Sequence, residues 1–158
     1  MKNSNASSVP KVIVGLDVSK RHLDAVIYGR KAFRRFDNNP EGINDLLNWL
    51  TEKSVEFVVA EATGGLELPA LLTLHEAGFM VSRVNPRWIK DYARAQGRYA
   101  KTDPLDARII ASYAVTMKPA PWTPWDKDTQ TFKDLTVRRR QLITMRTMER
   151  NRSQQTKS

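Results

Sequence analysis

Short apolar runs alternate along residues 11–118 with longer segments in which apolar residues recur every three or four positions. The short runs are rich in β-branched residues, which is typical of buried strands, whereas the longer spacing is typical of helices that bury one face. The pattern predicts five strands, at residues 12–18, 23–28, 31–36, 55–60 and 79–84. It predicts four helices in the same region, beginning near Pro40, Glu67, Pro86 and Asp103. Turn and cap signals, such as Asn-Pro before two of the helices, separate these elements.

The predicted order is three strands followed by alternating helices and strands. Three strands in a meander, then helix and strand in alternation, is the order of a ribonuclease-H-like fold. We therefore expect an α/β domain over residues 11–118, a mixed five-stranded sheet with helices on both faces. In that topology the first and fourth strands lie side by side.

The character of the chain changes after residue 118. Residues 118–125 contain three prolines and two tryptophans, which excludes a long helix or strand. Residues 119–127 are predicted to be a connector that Trp122 and Trp125 dock onto the domain. Residues 128–158 are predicted to begin a long C-terminal helix of coiled-coil type, whose incomplete apolar stripe needs a partner. The polar residues 1–10 are interpreted as a disordered leader.

Charge narrows the class of partner. The chain has 26 Lys and Arg against 17 Asp and Glu, a net charge of +9 and a pI near 10.0. Such a balance favours a polyanionic partner, and nucleic acid before a membrane, because no basic amphipathic membrane helix is evident. There is no cysteine and no apolar run long enough to span a bilayer, so we expect a cytoplasmic protein without a membrane partner.

Four acidic residues stand at the ends of predicted elements. Asp17 ends the first strand, Glu61 ends the fourth, and Asp103 and Asp106 lie three residues apart at a helix start. Each alone is well explained as a cap or a turn residue. Carboxylates at the same end of neighbouring strands repel each other unless a cation lies between them. Oxygen ligands of this kind suit Mg²⁺ or Mn²⁺. The four residues are predicted metal ligands and catalytic residues for phosphodiester chemistry, and Asp24 is the rival for a fifth acid.

Basic residues lead towards the last two of these acids. Five follow Asn85 and Pro86 at spacings of three or four, which predicts one stripe on a helix face: Arg87, Lys90, Arg94, Arg98 and Lys101. We interpret the stripe as a track for nucleic-acid phosphates, with Lys20 as a further contact. Three aromatic residues flank it, and core packing is preferred to base stacking for them: Trp88, Tyr92 and Tyr99.

Four sequence blocks together resemble one family. The blocks are GLDVSK (15–20), AEATGG (60–65), VNP (84–86) and AKTDPLDA (100–107). In order and spacing they resemble the Piv/MooV group of DNA invertases and the related insertion-sequence transposases called the DEDD family. The resemblance implies a RuvC-like N-terminal domain in which the four acids bind divalent metal. RRRQL (138–142) resembles the start of the family's helical region, and its arginines are counted as nucleic-acid contacts: Arg138, Arg139 and Arg140.

The resemblance also implies function and assembly. It implies cleavage and rejoining of DNA, homodimers or tetramers assembled through the helical region, a prokaryotic nucleoid location and, in several members, a structured guide RNA. Family members continue into a second domain with a nucleophilic serine. Ser153 and Ser158 have the wrong context for that role, so the chain is expected to lack this nucleophile and to be truncated. Two alternatives stay open, a nucleic-acid-binding and dimerisation module without chemistry, and a RuvC-like hydrolytic nuclease.

Overall fold

The computed structural model describes residues 12–97, 103–124 and 127–155, and for residues 103–105, 127–137, 140 and 154–155 it describes the backbone alone. The strands are β1 (Ile13–Val18), β2 (His22–Ile27), β3 (Phe33–Asp37), β4 (Phe57–Glu61) and β5 (Met80–Val84). The helices are α1 (Pro40–Glu52), α2 (Leu68–Glu76), α3 (Pro86–Ala95), α4 (Asp103–Met117) and α5 (Lys127–Gln155). Their order along the chain is the predicted one.

The five strands form one mixed sheet in the order β3-β2-β1-β4-β5. β2 is antiparallel to β1 and to β3, whereas β4 is parallel to β1 and to β5. β1 and β4 are neighbours, as expected. Both are interior strands, and helices pack on both of their faces, which explains their nearly continuous apolar sequences.

Helices pack on both faces of the sheet. On one face, a buried cluster joins apolar residues of β1, β2 and β4 to α1 and α2, among them Leu16, Val58, Leu46, Leu50 and Leu71. On the other, a second cluster joins β1 and β4 to α3 and α4, among them Ile13, Val59, Ile89, Ile110 and Tyr113. The fold prediction of a five-stranded mixed sheet covered on both faces is confirmed.

Gly15 lets α4 approach β1 closely. A Cβ atom at Gly15 would overlap the carbonyl oxygen of Ala107 and the amide nitrogen of Ala111. Only a residue without a side chain permits this contact, because backbone atoms of the helix occupy the space that a Cβ would take. The helix backbone therefore lies directly on the centre of the sheet.

The direction of α4 follows from the residues that line one cleft beside it. Ser112 lines a cleft together with Tyr28, and the Tyr28 amide donates to the carbonyl of Ile13 at the start of β1, at 2.9 Å. The later turns of α4 thus lie near the start of β1. Its first turn lies towards the other end of that strand, where Asp17 is found.

The connector after α4 packs as predicted where it is described. Trp122 is partly buried against the α1–α2 side of the core, and its amide donates to the carbonyl of Val81 at 2.7 Å. Ser82 donates through its hydroxyl to the carbonyl of Ala120 at 2.9 Å. Trp125 lies outside the described residues.

The chain divides into two compact units, residues 1–123 and 124–158. The second consists of α5, a helix of 29 residues. Its large apolar side chains that are described are all exposed, namely Leu142, Ile143, Met145 and Met148. None of the helices in the described part of the chain is long and apolar enough to cross a membrane.

Candidate active site

Asp17 and Glu61 lie side by side at one edge of the sheet. Leu16 pairs with Ala60 in the parallel register of β1 and β4, so the next residue on each strand stands at the same level. Side chains alternate between faces along a strand, and both acids therefore project to the face that carries Gly15 and α4. Both are half-buried. Two acids that are 44 positions apart in sequence are neighbours because the strands are parallel.

Asp106 belongs to the side of α4 that faces β4. It precedes Ile109, Ile110 and Tyr113 by three, four and seven residues, and therefore shares a helix face with them. Those three residues pack in the cluster that contains Val59 of β4. Asp106 is half-buried at the start of this face, towards the strand end that carries Glu61. Asp103 is the first residue of α4, and its side chain lies outside what is described.

The donor chemistry of these residues fits a hard divalent cation. Three carboxylates with described side chains come from three elements that meet at one sheet edge, and carboxylate oxygens are the ligands that Mg²⁺ prefers. Within the described side chains, no group of three acidic or histidine residues is arranged to hold a metal ion. The sheet and α4 thus bring the backbones of the set together, while the described carboxylates do not converge on a common point.

Asp24 is the neighbour of Asp17 on β2. The two residues are direct partners in the β1–β2 register, so Asp24 projects to the same face. It is only 4% exposed, and its carboxylate accepts two hydrogen bonds from Arg35, at 2.7 Å from Nε and 2.8 Å from Nη2. Bidentate pairs of this kind are strong and geometrically specific. Asp24 is thus the partner of an arginine beside the predicted site.

Glu67 is a buried carboxylate that the sequence pattern did not single out. It has no exposed surface and accepts hydrogen bonds from the amides of Thr63 (2.9 Å) and Gly65 (3.1 Å) and from Nε of Arg83 (2.5 Å). The Thr63 hydroxyl donates to the carbonyl of Glu61 at 3.1 Å. The loop that follows Glu61 is therefore held at both ends of its turn by hydrogen bonds.

The charge state of Glu67 follows from these contacts. Burial raises the pKa of this carboxyl group, but hydrogen bonds from backbone amides and from the Arg83 guanidinium outweigh burial, so the pKa lies below its ordinary value. Glu67 precedes the first residue of α2, a position where an acid interacts favourably with the helix dipole and can accept a cap hydrogen bond. It makes no such cap hydrogen bond, and sequence alone does not distinguish the two roles.

The predicted basic stripe is shorter than its spacing suggested. The side chain of Asn85 caps α3 by accepting from the amide of Arg87 at 2.9 Å, but α3 ends at Ala95. Gly97 follows in the left-handed conformation, with φ of 67°, which ends the helix. The prediction of one continuous helical stripe is wrong, because spacing alone does not reveal this stop. Arg98 and Lys101 lie outside the described residues.

The basic residues that remain on α3 are Arg87, Lys90 and Arg94. Asp91 lies between them, 3.9 Å from Nε of Arg87 and 3.7 Å from Nη1 of Arg94. Exposed ion pairs of this kind contribute little to stability, so both arginines remain available to an anion. Lys20 is exposed in the turn after β1, at the sheet edge that carries Asp17.

The two aromatic residues of α3, Trp88 and Tyr92, differ in how far they are buried. Tyr92 packs as predicted, with its hydroxyl 2.8 Å from Oγ of Ser112 and 3.0 Å from Oγ1 of Thr116, and its ring edge-on to Tyr113. Trp88 is 57% exposed, and the prediction that it packs in the core is wrong. Ile89, the next residue, faces the core, and adjacent helical residues point about 100° apart.

Further basic side chains lie on α5. Arg138 and Arg139 are exposed, whereas only the backbone of Arg140 is described. All three are in the helix that was predicted for this segment. Tyr99, the remaining aromatic residue of the predicted stripe, falls outside the described part of the chain.

Known proteins resemble this chain in sequence and in fold. Pilin gene-inverting proteins of Moraxella bovis and Moraxella lacunata are each 31% identical to it, over 88% of this chain and 46% of the relative. The chain thus spans about half the length of these curated relatives. A solved structure of T. thermophilus RuvC in complex with a Holliday junction substrate superimposes with a TM-score of 0.53 and 18% identity, over 70% of this chain and 99% of that one. That likeness shows the RuvC-like, ribonuclease-H-like fold.

The family itself follows from a profile match. The DEDD transposase model of the IS110 type, described as a transposase, matches residues 14–156. This span contains all four predicted acids and the helices α3, α4 and α5 in full. Together with the two invertase relatives, this match shows that the chain belongs to the DEDD transposase family.

Proposed function

We propose that this chain is the metal-binding catalytic domain of a DNA transposase or recombinase. Asp17, Glu61, Asp103 and Asp106 supply carboxylate oxygens to Mg²⁺ or Mn²⁺, and the domain acts in strand cleavage and exchange. The observation that carries the proposal is the common level of Asp17 and Glu61 on adjacent parallel strands, on the face of the sheet that α4 covers. Carboxylate oxygens on neighbouring strand ends are ligands of the kind that a hard divalent cation prefers.

Each part of the chain has a defined contribution in this proposal. A bound divalent metal would stabilise the charge that develops on a phosphodiester group during displacement. Asp17 and Glu61 hold their carboxylates on rigid strands, and α4 carries Asp103 and Asp106 towards them. The loop after Glu61 is kept in place by Glu67. Arg87, Lys90 and Arg94 on α3 are proposed to bind backbone phosphates that flank the reacting group.

The proposed substrate is DNA. The relatives at 31% identity invert a pilin gene according to their name, which is a rearrangement of double-stranded DNA. The net charge of +9 supports a polyanionic substrate. A structured guide RNA is proposed as a second nucleic acid on the basis of the family resemblance, and it would use the same phosphate-binding side chains.

Metal titration tests the proposal directly. Isothermal calorimetry with Mg²⁺ and Mn²⁺ should detect binding to the unmodified chain. Asp17→Asn, Glu61→Gln and Asp106→Asn should each weaken binding by at least about tenfold, the lower end of what loss of a metal-site interaction costs. Asp91→Asn, which removes an exposed acid on α3, is the control and should bind as the unmodified chain does. Equal binding by all four variants would overturn the proposal.

A second candidate is a nucleic-acid-binding and dimerisation module without its own chemistry. It is favoured by the lack of a three-donor group among the described side chains, together with the exposed Trp88 on the basic helix α3. This module would bind DNA or RNA in a salt-dependent way. Binding that is unchanged in Asp17→Asn and Glu61→Gln, with no detectable metal binding in calorimetry, would favour it over the catalytic domain.

We propose that α5 pairs with a second copy of the chain. A lone helix is marginally stable in water, and α5 exposes Leu142 and Met145, which lie three residues apart on one face. Sedimentation equilibrium should show a dimer or tetramer that dissociates in Leu142→Glu/Met145→Glu. Thr147→Glu is the control for added charge. An unmodified chain that sediments as a monomer at micromolar concentration would contradict this assembly.

A further inference from the structure

A cleft of about 340 Å³ lies between α4 and the turn that joins β2 to β3. The strand and turn contribute one wall and α4 the other, and the lining residues with polar or charged side chains are Tyr28, Arg30, Lys31, Arg108 and Ser112. The turn has a defined shape, because the amide of Arg30 donates to the carbonyl of Ile27 at 3.2 Å and the amide of Ile27 donates to the carbonyl of Ala32 at 3.2 Å. The cleft is therefore built from two ordered elements.

The charge of the cleft has one sign. Arg30, Lys31 and Arg108 line it, and none of the acidic residues that the structure describes does. In the part of the chain that the structure describes, the ion pairs found elsewhere do not include these three side chains. Two arginines of the sheet are compensated, since Arg35 pairs with Asp24 and Arg83 with Glu67. Three cations around one concave surface, which the described ion pairs do not include, attract an anion with several charges.

The cleft lies on the side of α4 away from Asp106. Arg108, Ala111 and Ser112 share one helix face by their spacing of three and four, whereas Asp106 shares the face directed at β4. β2 connects the two regions, because it runs from the neighbourhood of Asp24 to Tyr28. Four strand residues span about 13 Å, a distance that a few nucleotides of a nucleic-acid strand cover. One strand can therefore reach from the carboxylates to the cleft.

We propose that this cleft binds the phosphodiester backbone of a nucleic-acid strand that extends from the carboxylate site. The inference rests on the proposed function, since it assigns a second contact surface to the same substrate. The side chains of Arg30, Lys31 and Arg108 bind phosphates. Tyr28 is 47% exposed at the rim, so its ring is accessible to an unpaired base. An anion without bases would use the cations and not the ring.

The salt dependence of DNA binding tests the cleft. Anisotropy of a fluorescein-labelled single-stranded 20-mer, measured in EDTA over a series of salt concentrations, gives the slope of log K against log salt. Arg30→Gln/Arg108→Gln should lower the magnitude of this slope by about 1.4, that is about 0.7 for each lost phosphate contact. Lys53→Gln/Lys118→Gln removes two exposed charges elsewhere in the same unit and is the matched control. Equal slopes in the two double variants would overturn the proposal that the cleft binds phosphates.

A second variant distinguishes nucleic acid from a generic polyanion. Tyr28→Ala should weaken binding of the 20-mer at least about fivefold, in line with the loss of one stacked base, and leave heparin binding unchanged. If Tyr28→Ala bound both the 20-mer and heparin as the unmodified chain does, or lost affinity for both equally, the assignment of a nucleic-acid strand would be overturned. All substituted side chains are exposed or line the open cleft, so unchanged melting temperatures verify that the variants fold.

The failure of this inference differs from failure of the proposed function. An unmodified chain that binds no DNA at low salt would overturn the proposed DNA substrate and the cleft together. If the unmodified chain binds DNA with a steep salt slope, but Arg30→Gln/Arg108→Gln has the same slope as Lys53→Gln/Lys118→Gln, only the proposal that the cleft binds phosphates is overturned. Metal binding measured by calorimetry should be unchanged in Arg30→Gln/Arg108→Gln, because neither residue belongs to the carboxylate set.

Discussion

Asp17 on β1 and Asp24 on β2 are direct partners across an antiparallel strand pair, and both project to the face covered by α4. Side chains at such positions have Cβ atoms about 5 Å apart, and like charges there repel. The bidentate pair between Asp24 and Arg35 offsets this repulsion. The sheet therefore carries a compensated carboxylate immediately beside a predicted metal ligand.

Removal of Arg35 should destabilise the fold more than removal of the whole pair. Arg35→Gln leaves the buried carboxylate of Asp24 without its cation, and we expect the free energy of unfolding to fall by about 1–3 kcal/mol. The Arg35 side chain is 42% exposed, so the larger cost of a fully buried pair does not apply. Urea denaturation measures the change.

The double variant Asp24→Asn/Arg35→Gln provides the control for this prediction. It removes the charge that Arg35→Gln leaves behind, so it should recover part of the lost stability. A double variant whose loss equals the sum of both single variants would contradict a direct interaction between the two side chains.

The stability of the protein should depend on pH through Glu67. Its pKa is lower in the folded protein than the ordinary value of 4.5, so the ionised form is the one that favours folding. The contribution is present above pH 4.5 and is lost as the pH falls through the folded-state pKa. Urea midpoints from pH 7 to pH 3 should fall less steeply in Glu67→Gln than in the unmodified chain, from a lower value at pH 7.

Glu76→Gln is the matched control for the acid dependence. Glu76 is an exposed acid on α2, and its replacement should leave the profile unchanged. If Glu67→Gln and Glu76→Gln gave the same dependence on pH, the acid sensitivity would have to arise from other carboxylates.

Gly15→Ala should displace α4 and weaken metal binding. The added methyl group overlaps backbone atoms of Ala107 and Ala111, which cannot move without the helix, so we expect a loss of about 1–3 kcal/mol in unfolding free energy. Asp106 lies on the same helix, and calorimetry should show weaker binding of Mg²⁺ than in the unmodified chain. A variant with unchanged stability and metal binding would show that α4 does not need this close approach.

Replacement by alanine should lower the free energy of unfolding much more at Trp49 than at Trp88. Trp49 is buried and its ring lies 5.8 Å from that of Phe36, so Trp49→Ala should cost about 3–5 kcal/mol. Trp88 is exposed on α3, and Trp88→Ala should change stability by less than about 0.5 kcal/mol. Urea denaturation of both variants checks the contrast, and a large loss in Trp88→Ala would contradict its exposure.

The contribution of Trp88 to DNA binding can be measured with Trp88→Ala. If Trp88 stacks on a base beside the phosphate contacts of Arg87, anisotropy with single-stranded DNA should show a loss of at least about fivefold. Trp88→Phe keeps an aromatic face and should retain most of the affinity. Equal affinity of Trp88→Ala and the unmodified chain would remove base stacking from the proposed role of α3.

The amino-acid sequence by itself determined the order of the elements, because hydrophobic period and turn residues are local properties. It also determined that strands β1 and β4 are neighbours, once three strands in a meander were followed by helix and strand in alternation. The positions of Asp17 and Glu61 at strand ends follow from the same local pattern. The prediction that these acids bind metal remains for experiment.

Tertiary structure alone decided which side chains are compensated, buried or exposed. Asp24 meets Arg35 across 11 positions and Glu67 meets Arg83 across 16, and such contacts depend on strand register and loop shape. The exposure of Trp88 depends on the rotation of α3 about Ile89. Local spacing carries no information about these features, because each arises from the packing of segments that are distant along the chain.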